Sequence, residues 1–337
     1  MKVLLWTELE NWVSRSGLGR AIIHQRQALN LVEVEHTSKW EDPTTQIAHI
    51  NTYFPFSVWL ARKLKQKKVP VIMHGHSTVE DFRNSFIGSN LLAPLFKKWL
   101  IYAYQSGNAI ITPTPYSKAL IESYGDMPPV YVVSNGINLK LYNRDKIDPH
   151  AFRKKYHLNA DQPVIISVGM WIERKGILDW IKLAQSMPEV TFIWFGETPL
   201  WQIPSHVRQA IKTAPDNAIF PGYVPASELR EAYVGCDAFV FLTQEETEGI
   251  VLLEALALKV PTIVRDIPIY REWFIDNEHV LKGKQVEDFK QAILSIKSNP
   301  TQTKKRVEQS YQLIQKNDLN EIGTQLKQIY EQMIENH

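Results

Sequence analysis

Short runs of β-branched, aliphatic and aromatic residues alternate with helix-like stretches along nearly the whole chain. In the first half, VLLWTE (3–8), IAHINTY (47–53), VPVIMHGH (69–76), NAIITPT (108–114) and VYVVSNG (130–136) read as strands, with GRAIIHQRQALN (19–30) and VWLARKLKQKK (58–68) as helices among them. In the second half, VIISVGM (164–170), VTFIWFGE (190–197), NAIFPGYV (217–224), AFVFLTQ (238–244) and VPTIVRD (260–266) are each followed by polar turns or helical patterns. Near-continuous apolar strands alternating with helices predict an α/β fold with parallel sheets covered on both faces. The halves resemble each other in kind, and the polar stretch around Asn138–Asp161 marks their seam. The pattern therefore predicts two Rossmann-like, doubly wound domains facing a cleft. The tail Thr303–His337 has helical spacing, with the option of crossing back to the first domain. The expected units are 1–145, joined by 320–337, and 146–319.

A chain of 337 residues supports two domains, and 44% hydrophobic with 22% charged residues is ordinary globular composition. The net charge of +2 gives no case for nucleic acid. Locally the balance differs. Between Trp59 and Tyr104 stand Arg62, Lys63, Lys65, Lys67, Lys68, Arg83, Lys97 and Lys98 against only Glu80 and Asp81. Such an excess attracts an anionic surface. Cys236 is the only cysteine, so no internal disulfide forms and a reducing compartment fits. In MKVLLWTELE, Glu8 interrupts the apolar run, which reads as a first strand rather than a signal peptide. No stretch reaches the roughly 18–20 apolar residues of a membrane span. A cytoplasmic protein, touching membranes only from their surface, is expected.

Ligands of doubly wound sheets bind beyond the carboxyl ends of the strands, and three stretches fall there. Gly17-Leu18-Gly19-Arg20 follows the first strand and opens a helix, but the third glycine of the dinucleotide fingerprint is replaced by Ile22. A structural turn and a phosphate contact both remain open, and a nicotinamide site is disfavoured. Glu173-Arg174-Lys175-Gly176 places two cations after a strand, a candidate diphosphate clamp or a pair of solvated charges. EETEGIVLLEALALKVP (245–261) sets Gly249 at a helix start, where the amides of Gly249, Ile250 and Val251 can meet phosphate or sugar oxygens. Glu254, one turn on, is a candidate acceptor for a ribose diol and Glu246 for donor-sugar hydroxyls; the acidic residues before the helix also suit its dipole.

Glu246 and Glu254 separated by seven residues, preceded by Glu173-Arg174-Lys175-Gly176, resemble the retaining nucleotide-sugar glycosyltransferases of the GT-B fold, family four. SGLGRA (16–21), HGHSTVEDFRNSFIGSN (74–90), TPTPYSK (112–118), VSNGIN (133–138), FPGYV (220–224) and EETEGIVLLEALA (245–257) follow the family's order over nearly the whole chain. The set is most similar to bacterial glycolipid synthases that add a second hexose to monoglucosyldiacylglycerol. That resemblance implies a donor site of Arg174, Lys175, Glu246, Gly249, Ile250, Val251 and Glu254. It puts Gly17 and Gly19 on the donor phosphates, His76 near the transferred sugar, and Asn135 and Gly136 at the interdomain turn. His76 and Glu246 are the implied catalytic pair. Two positions depart from the family: Met170 follows Gly169 where many relatives have Arg, and Thr247 stands where many have Gly.

The implied reaction moves glucose or galactose from a UDP-sugar to a glycolipid, with retention and with the leaving phosphate taking the acceptor proton. No tightly bound cofactor or protein-bound metal is expected; magnesium, if it assists, does so with the donor. The acceptor falls to the first domain. There LLAPLFKKWLIYAY (91–104) joins Phe96 and Trp99 to Lys97 and Lys98, beside Lys65, Lys67 and Lys68. An apolar face with cationic neighbours suits an anionic membrane surface, here the inner face of the cell membrane, although such stripes are commonly core helices with solvated lysines. Pro94 is expected near that helix's start. The competing readings are a polysaccharide or other soluble acceptor and a noncatalytic nucleotide-sugar-binding protein. The oligomeric state is left open.

Overall fold

The computed structural model describes residues 1–13, 16–199 and 201–337. Its strands, in chain order, are β1 Lys2–Trp6, β2 Glu35–Thr37, β3 Ile47–Ile50, β4 Val71–His74, β5 Ala109–Thr112, β6 Val130–Val132, β7 Val164–Val168, β8 Thr191–Phe195, β9 Ala218–Gly222, β10 Ala238–Phe241, β11 Thr262–Arg265 and β12 Leu281–Gly283. They form two wholly parallel sheets, β2-β1-β3-β4-β5-β6 and β12-β11-β10-β7-β8-β9. Strand order reverses between β1 and β3 in the first sheet and between β7 and β10 in the second. These are the points at which doubly wound sheets open a crevice for ligands.

Both faces of each sheet are buried, which is why the strands read as apolar runs rather than alternating ones. Val3, Leu5, Ile47, Ile72 and Ile111 pack on one side of the first sheet, and Leu4, Ala48, Val71, Met73 and Ile110 on the other. Two strands escape the pattern. β2 is the polar Glu-His-Thr on a sheet edge, held by register with Lys2–Leu4 and by a 3.0 Å Lys2–Glu35 ion pair. β12 is a three-residue edge whose middle residue is Lys282.

Five helices matter for the site: α1 Gly17–Leu31, α2 Pro55–Gln66, α3 Ser89–Tyr104, α4 Ile250–Ala257 and α5 Leu319–Glu335. The tail is two helices rather than one, since Pro300–Ile314 ends at the turn Gln315–Asn317 before α5 starts at the Asp318 cap. α5 crosses back. Leu319, Ile322, Leu326 and Tyr330 join the core of the first sheet, and Gly323 lies so close to α1 that a Cβ there would stand 2.3 Å from the Ala28 carbonyl oxygen.

α3 departs from expectation at its start. It begins at Ser89 behind a left-handed Gly88, so Pro94 sits in the second turn, not the first. Proline there forfeits one helical hydrogen bond. The neighbouring Asn90 side chain is tied to Asn84 by bonds of 2.8 and 3.0 Å, which fixes the first turn from outside.

Candidate functional site

Lys175 and Glu246 meet at the β7/β10 reversal. Lys175 closes the turn Glu173–Lys175 after β7, and Glu246 lies in the loop between β10 and α4. Gly176, with φ of +81°, lets that turn lie against the end of β10; a side chain there would stand 2.2 Å from the Leu242 carbonyl oxygen. The Lys175 ammonium is in direct contact with Glu246 Oε1, which also accepts a 2.9 Å bond from Thr243. Burial drives the Lys175 pKa down against the pull of Glu246. Burial opposes ionisation of Glu246 too, but Lys175 and Arg174 outweigh it and its pKa is lowered. Glu246 is therefore a buried carboxylate, able only to accept.

The rest of the 245–248 loop is fastened to the first half. Tyr116 donates to Glu245 at 3.1 Å, Thr114 donates to the Thr247 carbonyl at 2.8 Å, and Thr247 donates to the His76 carbonyl at 3.3 Å. Glu248 accepts from the Ser134 hydroxyl and from the Asn135 backbone and side-chain N–H groups at 3.0 and 2.7 Å. Sequence reasoning singled out Asn135 but missed Ser134, Thr114 and Tyr116, whose partners lie more than 100 residues away. Thr247, a departure from the family pattern, bridges His76 and Thr114 across the cleft.

Gly249 caps α4 with φ of +92°, a left-handed conformation that turns the chain from the loop into the helix. The amides of Gly249, Ile250 and Val251 precede the first helical bond, Leu252 N–H to the Gly249 carbonyl at 2.9 Å. They end α4 on the side of Lys175 and Glu246, at the positive end of a helix.

Three expected donor residues are engaged differently from their sequence assignments. Glu254 is 0% exposed; its oxygens meet Arg20 at 2.7 Å, Tyr142 at 2.7 Å and Tyr233 at 3.4 Å. It faces inward on α4, paired with Arg20 of α1. Arg174 donates to Ser85 at 2.9 Å and to the Glu245 carbonyl at 2.8 Å, tying the second half to the first. At the α1 start, the Gly19 amide is turned back to the Ser16 hydroxyl at 3.4 Å, a helix cap, while Gly17 has open space at its α-carbon.

His76 follows β4 and faces the cleft from the first half. Its Nε2 lies 3.3 Å from Asn51 Oδ1, and its ring stacks on His74 at 3.6 Å. Burial, then His74 and His49, hold its pKa well below the ordinary histidine value, so it is neutral at pH 7. Asn51, His49 and His74 were not among the expected site residues.

At the expected acceptor face, side chains divide between protein contacts and solvent. Phe96 stacks on Phe82 at 4.0 Å, and Trp99 donates its indole N–H to the Tyr53 carbonyl at 2.8 Å, so both face the protein. Lys65 reaches the Gly107 carbonyl at 3.0 Å, and Lys97 lies 5.0 Å from the Tyr124 ring. Lys67, Lys68 and Lys98 are exposed. The apolar surface is one helical step round α3: Leu91 is 85% exposed, Leu95 66%, with Leu92, Phe86 and Ile87 beside them. The aromatic residues Phe96 and Trp99 instead pack α3 against Phe82 and the Tyr53 segment after β3.

Among the described residues, no group of three or more His, Cys, Asp or Glu side chains is placed to hold a metal ion. Among them, too, no helix is long and apolar enough to cross a membrane.

Two family models match the chain: Glycosyltransferase Family 4 over residues 14–141 and Glycosyl transferases group 1 over residues 148–313. The chain is 43% identical over 337 residues to the processive diacylglycerol alpha-glucosyltransferase of Acholeplasma laidlawii, covering 99% of each. It is 25% identical to the alpha-galactosylglucosyldiacylglycerol synthase of Streptococcus pneumoniae, over 75% of this chain and 68% of that one. Its fold matches Anabaena HepE in complex with UDP and glucose with a TM-score of 0.78 at 14% identity, covering 98% of this chain and 100% of that chain.

Proposed function

This chain belongs to the family 4, group 1 glycosyltransferases, and from that premise we propose that it transfers a hexose from a UDP-sugar to monoglucosyldiacylglycerol, forming a dihexosyl-diacylglycerol. The observation that carries the reading is end-to-end similarity to a diacylglycerol glucosyltransferase, described above. Two six-stranded parallel sheets with chemistry at both strand-order reversals are the scaffold this reaction needs.

The donor diphosphate takes the Lys175 ammonium and the amides of Gly249–Val251. Lys175 then exchanges Glu246 for phosphate, and Glu246, already ionised, accepts hydroxyls of the sugar. Charge developing on the leaving β-phosphate meets donors in place beforehand, which is where electrostatic stabilisation lowers a barrier most. The acceptor hydroxyl attacks the anomeric carbon on the face the diphosphate leaves; the C–O bond to phosphate breaks and the departing phosphate oxygen takes the proton. Neutral His76 positions the sugar. Configuration is retained, no protein-bound metal takes part, and any magnesium travels with the donor. The exposed face of α3, flanked by Lys98 and by Lys67 and Lys68 of α2, rests on the anionic inner surface of the cell membrane.

Purified protein with labelled UDP-glucose or UDP-galactose, and diacylglycerol or monoglucosyldiacylglycerol in mixed micelles, tests the reading. The expected result is an α-linked dihexosyl lipid from the glycosylated acceptor. Transfer only to a soluble saccharide, or none to either lipid, overturns it. Label on diacylglycerol itself widens the acceptor range to the first step. Proton NMR of the product reads the anomeric configuration.

A further inference from the structure

Behind His76, the buried side chains of Asn51, Gln25, His49 and His74 are joined in a run of hydrogen bonds. Asn51 donates its side-chain N–H to Gln25 Oε1 at 2.8 Å, which turns Asn51 Oδ1 towards His76 Nε2 at 3.3 Å. With Gln25 Oε1 accepting, Gln25 Nε2 faces the His49 ring, 2.9 Å from Nδ1 and 3.3 Å from Nε2, and the Tyr330 hydroxyl of α5 lies 2.6 Å from Nδ1. His49 Nε2 in turn lies 2.9 Å from His74 Nδ1. His24 stands apart, with Nδ1 bonded to the Gly136 carbonyl at 2.8 Å. The tautomer of a histidine follows from the bonds its nitrogens make, and for His76 the Nε2 bond is set by the orientation of the Asn51 amide.

We propose that Asn51 is a positioning residue that keeps His76 as the Nε2–H tautomer, leaving Nδ1 as the ring's acceptor for a hydroxyl of the sugar or of the acceptor. This rests on the reading that His76 faces the transferred sugar. Asn51 itself touches no substrate. It lies after β3, 2% exposed, with both polar atoms engaged. The titratable groups bearing on the His76 ring are His74 and His49, both driven neutral by burial, His74 down to about 3. Neither supplies a charge that selects a tautomer, so the choice falls to Asn51. Tyr330 anchors the far end of the chain of bonds, so the crossing helix is joined to the sugar site through His49, Gln25 and Asn51.

Three variants test this. Asn51→Ala removes the acceptor from Nε2. About a tenfold fall in kcat is expected, the usual lower bound for a lost orienting partner, with the KM for the UDP-sugar little changed. Asn51→Asp keeps an acceptor of the same shape but adds a charge that favours the imidazolium, so the acidic limb of the kcat profile should move to higher pH. Nitrogen-15 NMR of histidine-labelled protein, with the His76 signals identified by their loss in His76→Gln, reads the tautomer directly. The parent should show Nε2 protonated and Nδ1 bare, and Asn51→Ala should mix the two forms. A parent spectrum with the proton on Nδ1, or an Asn51→Ala protein with unchanged tautomer and unchanged kcat, overturns the proposal. If His76→Gln retains full turnover, the reading of His76 fails instead, whatever Asn51 does.

Discussion

Glu248 accepts three hydrogen bonds from Ser134 and Asn135, yet burial pushes its pKa up to about 7. The folded protein therefore holds this proton more tightly than the unfolded chain. Its contribution to stability falls as pH rises from the ordinary glutamate range to about 7 and is level above that. Glu248→Gln should gain relative to the parent across that window, by on the order of 3 kcal/mol at most, whatever its absolute stability. Thermal melts from pH 5 to pH 8 check this; a difference flat with pH counts against it. Glu246 is the opposite case, with its pKa held down by its cations. Glu246→Ala should keep its fold, because Lys175 can neutralise or turn to solvent, but lose at least about a hundredfold in turnover as sugar positioning is lost. Near-parental transfer by the purified variant sinks its assigned role.

At the scale of elements, α3 and α5 show how a helix surface divides its tasks. In α3, Phe96 and Trp99 hold the helix to the first half, and Leu91 and Leu95 face outward. Leu91→Glu with Leu95→Glu should reduce sedimentation with anionic vesicles several-fold and leave UDP affinity unchanged. Trp99→Ala should instead lower the melting temperature. Equal vesicle binding by the double variant removes α3 from the membrane contact. In α5, Gly323 runs against helix propensity, since alanine within a helix is worth roughly 1 kcal/mol over glycine. The 2.3 Å approach of a Cβ to the Ala28 carbonyl reverses that balance. Gly323→Ala should destabilise by about 1–3 kcal/mol, as overpacked cores do, and a stabilised variant in urea unfolding refutes the close packing of α5 on α1.

For the molecule as a whole, the two halves are joined by polar contacts at the cleft and by α5 at the side. Arg20 of α1 neutralises Glu254 of α4, and Arg174 holds Ser85 and the Glu245 carbonyl. Removing one partner of a buried pair strands the other charge. Arg20→Ala should cost about 3 kcal/mol, and Arg20→Met with Glu254→Met should recover most of it. Urea unfolding measures both, and a single variant within about 0.5 kcal/mol of the parent shows that Glu254 is not held by Arg20.

The sequence by itself determined the two parallel sheets, because strands buried on both faces must be apolar throughout, and that signal is local. It also placed Arg174, Lys175, Glu246 and Gly249 beside strand ends, since such positions follow directly from strand boundaries. Edge strands β2 and β12 were invisible, because their residues are polar and only a neighbour's register makes them strands. Which cation each buried carboxylate meets was decided by the tertiary structure. Glu246 and Glu254 are alike in type, but Lys175 approaches one along its own domain and Arg20 reaches the other from the opposite half. Likewise Phe96 and Leu91 carry similar apolar character, and only the packing of α3 on Phe82 and Tyr53 settled which faces solvent. Asn51 gives no sequence signal at all. Its importance comes from the ends of β3 and β4 brought against the middle of α1, and hydrogen-bond direction exists only once they are.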